Sequence, residues 1–301
     1  MANLFCFGLS YTAEHYILAC GERLDRVAGT VRDAARANRI SCDGLGGRKV
    51  AAIAFDGATA VPDIARELAA TDFLLVSVPP DDDGDPVLRH YAQALDGASR
   101  LAAIVYLSTI GVYGDHDGAW IDETTTPAPV TGRSRARLDA EQAWQRLATR
   151  MGKPLTILRL AGIYGPGRNA LVQVANSSAK RIVKPGQVFN RIHVGDIAQA
   201  IEAAFAQRAD GIFNVTDDEP TPPGDPVVLA ARLLGVAPPP QVPFAEAART
   251  MNPMALSFYG ESKRVRNDKI KRELGLRLNY PTYREGLRAL FSAGAIHAQN
   301  L

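Results

Sequence analysis

Small residues near the start of the chain have the spacing of a loop that binds a pyrophosphate. Gly8, Ser10 and Ala13 follow the apolar run LFCF in the frame Gly-x-Gly-x-x-Gly/Ala, with Tyr11 at the expected helix start. Small side chains here permit a tight turn and let backbone N–H groups at a helix N-terminus approach the phosphates. We interpret these residues as a dinucleotide-binding loop. Because the Cβ of Ser10 fills space that a second glycine leaves open, the alternative is a closed site that holds another ligand.

The end of the next apolar run bears on which dinucleotide binds. The segment RVAGTVRD places Thr30 and Arg32 about twenty residues after the loop, where an NAD site usually has a carboxylate for the ribose 2′-OH. The forked guanidinium of arginine suits a 2′-phosphate instead. We therefore predict NADP in preference to NAD. The alternative is a solvated arginine at a strand end.

Further strand ends supply the remaining cofactor candidates. Asp56 closes the run VAAIAFD and is either an acceptor for the adenine amino group or a turn residue. The carboxyl ends of parallel strands meet at one edge of a sheet, and ligands bind there. We assign to the cofactor the residues at the ends of the next two runs, which are Ser77, Val78, Pro79 and Ser108.

Short apolar runs alternate with helical patterns through most of the chain. Runs such as DFLLVSV and LAAIVYLS are apolar on both faces, which is typical of parallel strands covered by helices. The alternation predicts an α/β fold with a Rossmann-type doubly wound parallel sheet. We place the dinucleotide-binding Rossmann domain at 1–164 and a smaller, interleaved, mainly substrate-binding lobe at 165–301, of which 192–216 returns to the Rossmann sheet.

Composition and charge narrow the range of partners. The 34 Lys and Arg against 32 Asp and Glu give a net charge of +2 without a basic stripe, so we expect no nucleic-acid partner. No run approaches the ~18 apolar residues of a membrane span and no leader pattern is present, which predicts a cytoplasmic protein away from membranes. Cys6, Cys20 and Cys42 lack metal-ligand spacing, and the loop 115–117 offers too few ligands, so no metal is expected. The expected partner is a small molecule. If it is an anion, the arginines described below would bind it. A homodimer is compatible with these features.

Three ordered motifs carry a family resemblance. They are STIGVYG at 108–114, IYGPGR at 163–168 and NRIHVGDIAQA at 190–200. Together with the glycine-rich loop they resemble the atypical and extended short-chain dehydrogenase/reductases of the NAD-dependent epimerase/dehydratase family, over nearly the whole chain. The resemblance implies a catalytic Ser/Thr after the fifth strand and a Tyr-x-x-x-Lys pair on the next long helix. In the family the lysine and the cofactor ribose lower the tyrosine pKa, and the tyrosine exchanges a proton with the substrate as hydride moves.

The family's catalytic set is incomplete when carried over to this sequence. Thr109 matches the Ser/Thr position, whereas Thr131 falls on the tyrosine and Arg135 on the lysine. A threonine hydroxyl is too short and too weak an acid to replace a tuned phenol. Arg135 would still hold ribose hydroxyls and supply positive charge. Tyr164 is a candidate replacement for the missing acid.

The resemblance also implies contacts with substrate. Positions equivalent to Tyr113 and Tyr164 line the substrate pocket in the family, and the Arg-x-x-His segment contributes substrate-phosphate contact and packing. We therefore assign to substrate Tyr113, Arg168, Arg191 and His193. For the two arginines the alternative is ion pairing with nearby carboxylates, and Tyr113 and His193 are further candidates for a replacement acid.

Two functional hypotheses follow from the sequence. The first is an NADP-dependent oxidoreductase or sugar-nucleotide-modifying enzyme with a rebuilt acid/base set, which needs a titratable group within reach of a substrate over the nicotinamide. The second is a catalytically inactive NADP-binding sensor or scaffold, which binds the cofactor without turnover. The fold is better specified than the function.

The assignment of Arg32 to a 2′-phosphate predicts a selective loss. We expect Arg32→Ala to weaken NADPH binding about tenfold or more, because a charge-assisted hydrogen bond is removed, and to leave NADH binding nearly unchanged. Calorimetric titration with both cofactors at one salt concentration measures this. Equal losses for the two cofactors would remove the 2′-phosphate assignment.

Overall fold

A seven-stranded parallel sheet runs through the middle of the protein. The computed structural model describes residues 2–295. Strands are β1 Ala2–Phe7, β2 Leu24–Val31, β3 Ala51–Ala54, β4 Phe73–Val76, β5 Ala103–Thr109, β6 Trp120–Ile121, β7 Leu155–Leu160, β8 Gly162–Tyr164, β9 Arg181–Val183, β10 Arg191–His193, β11 Gly211–Val215, β12 Gln241–Pro243 and β13 Arg264–Val265.

Helices connect these strands. They are α1 Tyr11–Cys20, α2 Ala34–Asp43, α3 Pro62–Ala69, α4 Pro86–Asp96, α5 Gly132–Met151, α6 Ala170–Ala175, α7 Val194–Gln207, α8 Asp225–Leu233, α9 Phe244–Ala247, α10 Pro253–Phe258, α11 Asp268–Glu273 and α12 Tyr283–Ser292. Within the described residues, none of these helices has the length and apolar character needed to cross a bilayer.

Helix ends follow local sequence signals. Asp85 caps α4 by accepting from the N–H groups of the first turn, and Pro86 follows at a position where a missing N–H costs nothing. Thr131 caps the twenty-residue α5, which ends at Gly152 in the left-handed conformation with φ 61°. These signals set the limits of α5 and therefore which of its residues can face the sheet.

The strand order of the main sheet is β11-β7-β5-β4-β1-β2-β3, with every pair parallel. The order reverses between β1 and β4, where two successive crossovers leave in opposite directions. Such a switch point opens a crevice at the carboxyl ends of the strands, and ligands bind there in doubly wound folds. The expected Rossmann-type α/β fold is confirmed.

Apolar layers cover both faces of the sheet. One includes Tyr16, Ile197 and Phe205 from α1 and α7, and the other includes Tyr91 and Trp144 from α4 and α5. Burial of such large side chains contributes most of the free energy of folding. The layers also hold the first turns of α1 and α5 against the strand ends that form the crevice.

The smaller lobe lies over the carboxyl ends of β5 and β7. Its short strands pair β10 with β8, β12 with β9 and β13 with β6, and its core includes Tyr164, Leu171, Tyr283 and Leu287. The segment predicted to return to the Rossmann sheet is divided. β10 belongs to the lobe, while α7 packs on α1 and β11 pairs with β7 at the edge of the main sheet.

A buried ion pair lies beneath the crevice. Arg159 of β7 donates to both carboxylate oxygens of Glu141 on α5, at 2.7 Å to Oε2 and 3.1 Å to Oε1. Their side chains are 3% and 1% exposed. Ser108 Oγ of β5 donates to the same carboxylate at 2.5 Å. Two strands and a helix therefore meet at one carboxylate.

Glu141→Gln should destabilise the protein strongly. Removing one partner of a buried ion pair leaves the other charge uncompensated, and we expect the free energy of unfolding to fall by about 3–5 kcal/mol. Denaturant titration measures this, with Glu273→Gln as the control because Glu273 pairs with Arg272 at the exposed surface. A loss no larger than that of the control would contradict the role given to this pair.

Candidate functional site

The glycine-rich loop is held by hydroxyl groups from two neighbouring strand ends. Gly8 has φ +91°, and its N–H donates to Thr30 Oγ1 at 2.9 Å while its carbonyl accepts from Ser77 Oγ at 2.8 Å. A Cβ at Gly8 would lie 2.7 Å from Ser77 Oγ. The loop thus keeps the close backbone approach that a pyrophosphate requires. Thr30 is only 1% exposed, so in this structure its hydroxyl supports the loop.

Ser10 occupies the N-terminus of α1. Its Oγ accepts from the N–H of Ala13 at 3.4 Å, a long hydrogen bond, and Ala13 itself is fully buried against the sheet. Rotation of this side chain would exchange that long bond for one from the hydroxyl to a phosphate oxygen. The frame of the loop therefore fits a dinucleotide with Ser10 in place.

The end of β2 carries exposed cations. Arg32 is exposed and has no hydrogen-bond or ion-pair partner within residues 2–295. Arg36, one turn further along, forms an ion pair with Glu14 at 2.5 Å, so its charge is already paired. Asp56 is exposed and its Oδ1 accepts from the N–H of Ala58 at 2.9 Å, which is the geometry of a turn residue.

A cleft of about 730 Å³ opens where β4, β5 and β7 end. The predicted site residues that line it are Pro79, Ser108, Thr109, Thr131, Tyr164, Arg168 and Arg191. The loop residues Gly8 and Ser10 lie outside this lining. The cleft therefore lies beside the glycine-rich loop, between the strand ends and the lobe.

Two hydroxyl groups at the end of β5 differ in what they can do. The O–H of Ser108 is directed at buried Glu141. Thr109 Oγ1 accepts from the N–H of Gly111 at 3.1 Å and lines the cleft, so its own O–H has no acceptor in the described part of the chain. Thr109 is thus the hydroxyl of this pair that can donate to a bound ligand.

At the start of α5, Thr131 lies at the cleft, whereas Arg135, predicted to stand in for the family's lysine, does not. Thr131 lines the cleft, and its Oγ1 accepts from the N–H of Ser134 at 3.1 Å and donates to Ser134 Oγ at 2.9 Å. Arg135 is exposed, makes no hydrogen bond or ion pair with the described residues, and does not line the cleft. Its expected contact with a cofactor ribose is therefore not what this geometry favours.

Arg137 is the cation of α5 that reaches the strand ends. Its guanidinium donates to Tyr106 Oη at 3.0 Å, to the carbonyl of Leu107 at 3.2 Å and to that of Val78 at 3.5 Å. Residues two apart on a helix point about 200° apart, so Arg135 and Arg137 cannot share a face. Arg137, two residues along α5 from the predicted Arg135, is therefore the side chain that contacts the ends of β4 and β5.

Tyr164 is a poor candidate for the missing acid. It is 8% exposed, and its Oη donates to the carbonyl of Thr282 at 3.5 Å. A Cβ at Gly286 would lie 2.1 Å from this oxygen, so α12 packs directly on the phenol. Burial, and secondarily the charge of Asp217, raises the pKa of Tyr164 above that of free tyrosine. The phenol is therefore a weaker acid than an unperturbed one.

His193 serves as the cap of α7. Its Nδ1 accepts from the N–H of Gly195 at 3.1 Å, and its ring centroid lies 3.9 Å from that of Tyr280. Burial lowers the pKa of His193 to about 4, so the imidazole is neutral near pH 7. It does not line the cleft, which separates it from the substrate contact expected for it.

Tyr113 is also remote from the cleft lining. It is fully buried, and its Oη donates to Asn214 Oδ1 at 2.8 Å. The guanidinium of Arg159 lies 4.7 Å from the centre of its ring. The predicted substrate contact is therefore replaced by a contact within the core, because the lobe strands β6 and β13 cover this side of the loop.

The two predicted substrate arginines occupy different depths. Arg168 is exposed at the rim, 6.0 Å from the ring centre of Tyr11, whose Oη donates to the carbonyl of Pro166 at 3.0 Å. Tyr11 therefore joins the glycine-rich loop to the lobe. Arg191 is half-buried, donates to the carbonyl of Phe189 at 3.1 Å and forms no ion pair with the described residues.

Sequence reasoning missed a second charged pair in the cleft wall. Lys263 is 5% exposed, and its Nζ donates to Glu261 Oε2 and to the carbonyl of Gly114, both at 2.5 Å. Both side chains line the cleft. Glu261 and Lys263 are neighbours in sequence, but the contact with Gly114 that places Lys263 in the cleft wall joins residues 149 positions apart and leaves no local signal. Residues 2–295 hold no group of three or more His, Cys, Asp or Glu arranged for a metal ion.

Asp217, behind the cleft, makes the stability of the folded protein depend on pH. Its Oδ1 accepts from the N–H of Glu219 at 3.2 Å, while Oδ2 is buried without a partner in the described residues. Burial raises the pKa of Asp217 to about 8, against 3.8 for a carboxyl in water, with the charge of Arg191 opposing the shift. Between these values the unfolded chain loses the proton that the folded protein keeps, so this group lowers stability as pH rises.

Asp217→Asn should therefore stabilise the protein at high pH. We expect no change near pH 4 and a gain of about 1–3 kcal/mol by pH 8, because the amide needs no ionisation in a buried site. Thermal unfolding at both pH values measures this, with Asp139→Asn on the exposed face of α5 as the control. A gain that is the same at both pH values would contradict the assignment.

Known proteins support the likeness of the whole chain to one family. The sequence profile of the NAD dependent epimerase/dehydratase family matches residues 87–216. Protein YeeZ of Escherichia coli strain K12 is 30% identical over 224 residues, which span 71% of this chain and 73% of that protein. A 3-diazoavenalumate denitrifying reductase from a Streptomyces species is 31% identical over 137 residues, 44% of this chain and 45% of that protein.

A solved structure covers almost the full length. A functionally unknown conserved protein from Silicibacter pomeroyi DSS is 43% identical, with a TM-score of 0.84 over 98% of this chain and 99% of that chain. The switch-point crevice, the glycine-rich loop and these similarities agree. The chain belongs to the NAD-dependent epimerase/dehydratase family of short-chain dehydrogenase/reductases.

Proposed function

We propose that the protein is an NADPH-dependent reductase that transfers hydride to a small substrate without a tyrosine acid. The observation that carries the proposal is the position of Arg137 between the ends of β4 and β5, at the cleft floor. In the family a lysine on this helix holds the nicotinamide ribose. A guanidinium here keeps that positive charge at every physiological pH.

Reduction fits this site better than epimerisation or dehydration. Epimerases and dehydratases of this family must remove a proton and later return one, which requires a group that titrates near neutrality. Tyr164 has a raised pKa and His193 lies outside the cleft lining. A single hydride transfer demands less of the protein, since the proton can come from water. The reductase activity in the name of the Streptomyces relative supports the same choice.

The residues of this chain have separate tasks in the proposal. The backbone around Gly8 and the first turn of α1 would hold the pyrophosphate, and Arg32 would hold the 2′-phosphate of NADPH. Bound nicotinamide would supply the hydride. Thr109 would donate its free O–H to the acceptor atom of the substrate and orient it, and water entering through the open cleft would supply the proton that the reduced product takes up.

Arg137→Met should weaken NADPH binding by about tenfold to a hundredfold, because a charge-assisted contact to the ribose is lost. Arg135→Met is the matched control: it removes the same charge two residues away, from an exposed position outside the cleft lining. Calorimetric titration with NADPH, NADP, NADH and NAD, together with thermal unfolding of each variant, measures the effect.

Equal affinities for the two variants, both folded, would contradict the role of Arg137. Micromolar NADPH binding without oxidation by any member of a carbonyl and activated-acid panel would favour the second hypothesis, a catalytically inactive sensor or scaffold. No binding of any dinucleotide by the wild-type protein would show that Ser10 closes the loop.

A further inference from the structure

We infer that the substrate end of the cleft binds a small acid, with an apolar body and a single carboxylate seated on Arg191, rather than a sugar nucleotide. This inference rests on the proposed function, because it assigns the other end of the same cleft to the nicotinamide. The charge and polarity of the lobe wall and the volume of the cleft support it.

The first support is a half-buried cation that no carboxylate of the described residues contacts directly. The charged residues that line the cleft are Arg133, Arg137, Arg168, Arg191, Lys263 and Glu261. Glu261 is the carboxylate of this group, and it pairs with Lys263 at 2.5 Å. Among the cations of the lobe wall, Arg191 is the half-buried one that makes no ion pair in the described residues. The charges of Asp217 and Asp225 act on this guanidinium without forming an ion pair with it. The partly desolvated side chain is therefore still open to direct contact with an anionic ligand.

The second support is the apolar surface around that cation. The guanidinium of Arg191 lies 5.9 Å from the ring centre of Tyr283. The neighbouring wall is formed by side chains without charge, which are Val188, Phe189, Pro223, Pro226, Val227, Phe258 and Leu287. Burial of an apolar ligand body against this wall is favourable, whereas ribose or hexose hydroxyls would lose their hydration there.

Three polar side chains of the same wall already have hydrogen-bond partners, while the exposed amide of Gln173 makes none with the described residues. Asn169 donates to the carbonyl of Gly165 at 2.8 Å and accepts from a backbone N–H at 3.1 Å. Asn190 likewise donates and accepts with backbone groups, both at 2.9 Å, and Ser257 Oγ donates to a carbonyl at 2.8 Å. A nucleotide sugar presents many hydroxyl and carbonyl groups, and this wall has few free partners for them.

The size of the cleft agrees with a small ligand. Its volume of about 730 Å³ lies in the range that holds about one drug-sized molecule. The nicotinamide riboside takes part of that volume. The remainder would suit a compact acid.

The test uses 4-carboxybenzaldehyde as the acid, its methyl ester as the neutral match and UDP-glucose as the sugar nucleotide. Each is titrated by calorimetry into the full-length protein, both alone and saturated with NADP. We expect the acid to bind at least tenfold more tightly than the ester and UDP-glucose to bind more weakly than the acid. Raising the salt concentration should weaken the acid and leave the ester unchanged.

Variants assign the preference to Arg191. Arg191→Met should abolish the acid-over-ester preference, Arg191→Lys should keep part of it, and Arg146→Met, which removes an exposed charge from α5, should keep all of it. If Arg191→Met does not fold, Arg191→Lys still tests the role of the guanidinium. The comparison of acid with ester in the wild-type protein, at low and at high salt, still tests the preference for an acid. Equal binding of acid and ester, no binding of the acid, or tighter binding of UDP-glucose would overturn the inference.

The failure of the two proposals can be told apart. Failure of the proposed function appears as absence of NADPH binding, or as NADPH binding without oxidation by any member of the substrate panel, while the acid titration on the unliganded protein still reports on Arg191. Normal NADPH binding with no preference for the acid rejects the substrate class alone.

Discussion

The carboxylate of Glu141 is the point on which the floor of the site depends. It accepts from Arg159 of β7 and from Ser108 of β5, and it is carried by α5. Because a buried charge is costly unless it is paired and fully hydrogen-bonded, these three elements have one stable arrangement. That arrangement fixes the rotation of α5 about its own axis. It therefore decides which residues at the start of the helix, 131–137, face the cleft.

The loop and the lobe are joined to this floor through short polar contacts. Thr30 and Ser77 hold the backbone of Gly8 from both sides, and Tyr11 at the start of α1 reaches the carbonyl of Pro166 in the lobe. Each contact links residues far apart in sequence. The glycine-rich loop and the lobe are thus joined in one hydrogen-bonded frame.

The side chains that the sequence assigns to acid–base roles have one property in common: none is placed to exchange a proton readily near pH 7. Thr131 carries a hydroxyl and no phenol, Tyr164 is packed under α12 with a raised pKa, and His193 acts as the cap of α7. What remains in the cleft is positive charge from Arg137 and Arg191 and the hydroxyl of Thr109. Such a site can bind anions and orient an acceptor atom, and it has little capacity to exchange protons near pH 7.

The sequence by itself determined the Rossmann-type sheet, the glycine-rich loop and the family, because these depend on local patterns: apolar runs, small residues at fixed spacing and ordered motifs. It also located the Thr109 position. Only the tertiary structure decided that Arg137 rather than Arg135 faces the strand ends, that Tyr113 is a core residue and that Lys263 pairs with Glu261 in the cleft wall. The first outcome depends on helix rotation. The burial of Tyr113 and of Lys263 depends on contacts with Asn214 and Gly114, more than a hundred positions away, which follow from packing and leave no local signal.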